Sequence, residues 1–154
     1  TVTGAGSKII LAGTMDITSS GSAGYGHHNT LTLWDQGLVQ LQKDATGNIR
    51  FYGGTATPTG LMESYVRFAA GFLAYKGNRT NELVNARVQV WHGSAWEAGI
   101  KNSNWSATYC EDDAAVARAT KGYYPEPNGL AGYTIYTGGV GTPKPPTVTV
   151  IIVR

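Results

Sequence analysis

Period-2 alternation of apolar and polar residues dominates this chain, and it commits most of the length to half-buried strands. NTLTLW (29–34), RVQVW (87–91), WSATYC (105–110) and YTIYT (133–137) carry it clearly. KIILAGTMDIT (8–18) reads as a strand pair or one strand bent at Gly13, and SYVRFAAGFLAYKG (64–77) as a long apolar strand or two. LVQLQ (38–42) and NIRFY (48–52) flank DATG, where Gly47 suits the left-handed position of a hairpin loop. The composition agrees: 21 glycines supply turns, while threonines and aromatics suit a pleated surface.

One segment departs from the pattern. EDDAAVARATK (111–121) has an acidic start, an alanine-rich middle and a basic end, which predicts one short helix aligned with its own dipole. TVTVIIVR (147–154) concentrates Val148, Val150, Ile151, Ile152 and Val153, as a buried central strand would, with Pro145 and Pro146 outside the ladder. Eight to ten strands at even spacing, with no internal repeat of 20 to 50 residues, predict an all-β antiparallel β-sandwich rather than a propeller or solenoid. The 154 residues fit a single domain, 1–154. The start at Thr1, with no signal-peptide pattern, reads as the C-terminal fragment of a longer protein.

Several function classes are disfavoured. A formal net charge of +2 with scattered Lys and Arg is no nucleic-acid footprint. No run approaches the roughly 20 apolar residues of a membrane span. The lone Cys110 makes no intrachain disulfide and reads as a small buried hydrophobe. His27 and His28 are adjacent and His92 is isolated, so no metal-ligand spacing exists; no metal and no cofactor are expected. The acids Glu111, Asp112 and Asp113 read as helix N-terminal residues, not as a calcium loop. The glycine pairs Gly53-Gly54 and Gly138-Gly139 lack a following helix and make no phosphate cradle. Nothing reads as an enzyme. The sequons at Asn78 and Asn104 carry little weight.

Binding chemistry remains, and two stretches offer it. In RVQVWHGSAWEAG (87–99), Trp91 and Trp96 bracket a polar tip that includes His92. Val88 and Val90 face inward, Trp91 lies on the opposite face, and Trp91 with Trp96 forms a cross-strand clasp whose outer side can be a contact surface. In YYPEPNG (123–129), Tyr123, Tyr124, Glu126 and Asn128 combine stacking surface, rigid prolines and hydrogen-bonding groups of the kind that hold sugars, or else form a crossover on the core rim.

The NTLTLW element and the terminal TVTVIIVR strand together resemble the C-terminal knob of a viral fibre. Adenovirus fibre heads carry a similar Thr-Leu-Trp element where shaft meets head, and TNF-like knobs end on a similar strand. Here the element sits some thirty positions in, which favours the tip of a phage tail needle or tail fibre. The resemblance implies a jelly-roll or TNF-like homotrimer, located on the virion and acting outside the cell. Its task would be attachment to a host-surface glycan or protein receptor. It transfers no binding residue. A stand-alone lectin or carbohydrate-binding module is the alternative. A small glycan hydrolase using Asp112, Asp113 and Glu126 comes third.

Overall fold

The structure, a computed structural model, describes residues 1–4, 6–12, 15–18, 30–42, 49–52 and 65–141, with the backbone alone for 15–18 and 49–52. In chain order the strands are β1 (Val2–Thr3), β2 (Lys8–Leu11), β3 (Met15–Thr18), β4 (Thr30–Trp34), β5 (Leu38–Leu41) and β6 (Ile49–Tyr52). They continue with β7 (Tyr65–Ala69), β8 (Phe72–Lys76), β9 (Val88–Trp91), β10 (Trp96–Ala98), β11 (Trp105–Cys110) and β12 (Tyr133–Gly138). A 3-10 turn, Asn85–Arg87, precedes β9, and helix α1 spans Asp113–Ala119. The protein is mostly β, as expected.

The pairing is not the antiparallel one expected. One sheet has the order β1-β4-β7-β9-β10, a second β11-β12-β8-β5-β2, and a third holds β3 beside β6. Among the described residues six pairings are parallel and three antiparallel. The chain visits the three sheets in turn through β1, β2 and β3, then again through β4, β5 and β6. It next lays β7 and β8 on the first two sheets and β9 on the first. This is the winding of a parallel β-solenoid, not of the jelly-roll or TNF-like sandwich expected, and it is closed at its later end by the antiparallel strands β10, β11 and β12.

The hairpin expected at 38–52 is therefore absent as such: β5 pairs with β2 and β8, while β6 pairs with β3. Alternation along a strand sets which residues share a face but not which strand lies alongside.

The corners between the first two sheets explain how coils stack. They take four residues after β1, three after β4 and two after β7. Val2 pairs with Leu33 and Lys8 with Leu38, so the coil repeat drops from 31 to 30 residues across the first corner. Thr30 pairs with Tyr65 and Leu38 with Phe72, a drop from 35 to 34 across the next. Asp35, Gln36 and Ala70 turn these corners with positive φ of 41°, 65° and 59°. The glycines lie flat on the coil before: a Cβ on Gly37 would stand 2.8 Å from the Val2 carbonyl carbon, and one on Gly71 only 2.5 Å from that of Leu33.

Two apolar clusters hold the layers together. Leu33, Val66, Phe68, Val88 and Val90 of the first sheet meet Val39, Leu41, Leu73, Tyr75 and Tyr136 of the second in the solenoid interior. On the outer face of the second sheet, Leu38, Phe72, Ala74, Cys110, Tyr133 and Ile135 pack under Val116 of α1 and Leu130. Each such large side chain contributes about 1.5–3 kcal/mol on burial. The second sheet is thus covered on both faces, which is why β5 (LVQL) is buried throughout and β8 (FLAYK) at all but its last residue.

Helix α1 is shorter than the 111–121 expected but is started by the predicted acids. Asp112 is its N-cap, accepting from the Ala115 amide at 2.6 Å. Asp113 accepts from the Gly129 amide at 3.1 Å, tying the following loop to the helix. Cys110 is free and fully buried, and burial pushes its thiol pKa up. Gly13, the loop 19–29 with His27 and His28, the segment 43–48 with Gly47, the pair Gly53-Gly54, and 142–154 with the expected final strand lie outside the described residues.

Candidate functional site: a polar cleft walled by Tyr123

The tryptophans of the opening pattern do meet. Trp91 and Trp96 are register partners across β9 and β10, with ring centroids 5.4 Å apart. Trp34, at the end of β4, closes a triangle at 5.6 Å from Trp91 and 5.1 Å from Trp96, all edge to face. The register that sets Leu33 against Phe68 and Phe68 against Val90 places Ala69 between Trp34 and Trp91, and Ala69 is fully buried although it lies on the outer face. Arg67 lies over the Trp96 ring at 5.1 Å while its Nε donates to Gln89 at 2.7 Å.

This cluster is a clasp. Its rings meet each other edge to face and Arg67 covers one of them, while all three stay partly exposed. The segment after β12 locks it from the side: the Val140 amide donates to the Trp91 carbonyl at 2.8 Å, and a Cβ on Gly139 would stand 2.4 Å from the Phe68 carbonyl oxygen. His92 is exposed at the turn tip.

The second stretch divides differently. Tyr124 packs edge-on to Phe72 at 5.7 Å, and its hydroxyl donates to the Gln36 carbonyl at 2.7 Å; burial raises its pKa. Asn128 donates to the carbonyls of Asp113 and Tyr124 and accepts from the Leu130 amide, each at 3.1 Å. Both residues fasten the loop to the body. Glu126 is exposed, at a cis bond to Pro127. Of the two tyrosines Tyr123 faces out, 49% exposed, with its ring 6.4 Å from that of Phe72.

Tyr123 stands on a cleft of about 540 Å³. Five pieces of chain build it: Gln36 and Ala70 from two successive corners, the turn 102–104 running into β11, Lys121 with Tyr123 after α1, and 137–141 at the end of β12. Gln36, Asn102, Ser103, Ser106, Lys121 and Tyr123 line it with side chains that have no hydrogen-bond or ion-pair partner among the described residues. Among the described residues no Asp or Glu lines it. Neutral donors and acceptors, one ammonium and one exposed aromatic face thus converge on a space the size of a small-ligand site.

Of the candidate binding residues read from sequence, only Tyr123 lines this cleft. Gln36, Asn102, Ser103, Ser106 and Lys121 were not anticipated, because they come from segments that the stacked corners bring together. Among the described residues no group of three His, Cys, Asp or Glu could hold a metal ion, and no helix is long and apolar enough to cross a membrane. Compared with known protein families, curated proteins and solved structures, the chain matches none.

Proposed function

We propose that this protein is a non-enzymatic attachment module that holds a saccharide in the Tyr123 cleft, as the tip of a viral fibre or tail needle contacting a host-surface glycan. The cleft carries the reading. A sugar presents an apolar C–H face and a rim of hydroxyls, which suit an exposed tyrosine ring flanked by amides and hydroxyls that have no partner within the described chain. Hydrolysis requires two carboxylates across the scissile bond. None lines the cleft among the described residues, and Asp112 and Asp113 are engaged at the start of α1. Parallel coils stacking along one axis are compatible with a place in an elongated assembly.

The test is a glycan array followed by calorimetry on the strongest hit. Tyr123→Ala is expected to weaken binding roughly tenfold or more, with far-UV circular dichroism unchanged. Binding that survives both Tyr123→Ala and Asn102→Ala overturns the cleft as the site. The fibre reading further expects a homotrimer that persists on dilution to nanomolar. A clean monomer by light scattering replaces it with a stand-alone saccharide-binding module using the same cleft.

A further inference from the structure

We propose that the cleft selects saccharides that carry a carboxylate, with the Lys121 ammonium as the selecting group; this rests on the saccharide reading above. Lys121 is the one charged residue among the described residues that line the cleft. Its side chain has no anionic partner among the described residues, and Asp35, whose Oδ1 lies against Gly141, already has a partner of its own. A neutral sugar would leave this cation solvated and unused, whereas a sugar acid gives it a charge-assisted hydrogen bond.

The position of Lys121 is built rather than incidental. Thr120, fully buried, donates through its hydroxyl to the Val116 carbonyl at 2.9 Å and accepts from the Tyr124 amide at 3.3 Å. Lys121 then turns the chain with φ 53°, and the Gly122 amide closes the helix end on the Ala117 carbonyl at 2.7 Å. Three residues on, the Tyr124 hydroxyl is bonded to the Gln36 carbonyl on the opposite wall. Lys121 and Tyr123 therefore sit on a short loop anchored at both ends, so the backbone that carries cation and stacking face is set before any ligand arrives. Gln36, Asn102, Ser103 and Ser106 remain for the sugar hydroxyls.

The experiment compares matched probes that differ in charge: sialyllactose against lactose, and oligogalacturonate against its methyl ester. Calorimetry is done on the full chain at two salt concentrations. Binding of an acidic member over its neutral counterpart is expected, weakened by added salt. Lys121→Gln should reduce it about tenfold, and Lys121→Arg should retain it. Equal binding of both members, or acidic preference that survives Lys121→Gln, overturns the selectivity while leaving the saccharide reading intact. No binding of any probe, nor of any neutral or acidic glycan on the array, overturns both.

Discussion

Ala70 and Gly71 are neighbours in one corner, yet the structure asks opposite things of them. Gly71 is needed for space: an added Cβ would stand 2.5 Å from backbone of the preceding coil. Backbone there has no flexible end to move, so the coils would have to separate. We expect Gly71→Ala to cost about 1–3 kcal/mol, as overpacking does, read as a lower urea midpoint. Ala70 instead carries a left-handed φ of 59° that glycine adopts freely. Ala70→Gly relieves that strain, but its gain is offset by the added entropy of the unfolded chain. We expect its stability to stay within about 1 kcal/mol of the parent. Similar losses at both positions would mean that corner packing is not what sets the coil spacing.

At the scale of elements, α1 is where local chemistry and position agree. Asp112 satisfies the Ala115 amide, and the only fully buried side chain of the helix is Val116. A seven-residue helix has little intrinsic stability, so the cap and the contact under Val116 must hold it. Asp112→Ala is expected to cost about 0.5–2 kcal/mol, seen by thermal denaturation. Because α1 leads directly into the loop of Lys121 and Tyr123, the same variant should weaken saccharide binding without touching the cleft. Such elements were legible: the acidic start and alanine content marked α1, and alternation located most of the strands. Strand partners were not. LVQL and FLAY differ from TLTLW in being apolar on both faces, and that difference signals a sheet covered on both sides, as parallel strands are. The coil repeat was hidden because the corners shorten from four to three to two residues. Gly37 and Gly71 lie 34 positions apart, yet the residues before them do not align without a gap. The cleft was less legible still. Tyr123 announced itself in an aromatic loop, but Gln36, Asn102 and Lys121 acquire a common purpose only once the corners are stacked.

For the molecule as a whole, both apolar clusters contain groups that ionise only at alkaline pH. Cys110 and Tyr124 belong to the cluster under α1, and Tyr136 lies in the solenoid interior. Burial is the leading cause that raises the pKa of each, and the Tyr136 hydroxyl also donates to the Arg79 carbonyl. In each case the native state keeps a proton that the unfolded chain releases at its ordinary pKa, about 8.5 for a thiol and about 10 for a phenol. The stability they contribute is therefore fully present below those values. It is lost as pH rises from there toward the elevated native values, because the unfolded state then binds fewer protons. We expect the urea midpoint to be flat near pH 8 and to fall progressively toward pH 11, each fully engaged group adding about 1.4 kcal/mol per pH unit. Tyr136→Phe separates the interior from the outer cluster. It loses one hydrogen bond at neutral pH but removes its share of the alkaline slope, so parent and variant should converge as pH rises. Parallel midpoint curves for the two proteins would show that Tyr136 ionises freely in the native state, and that the interior between the two sheets admits water.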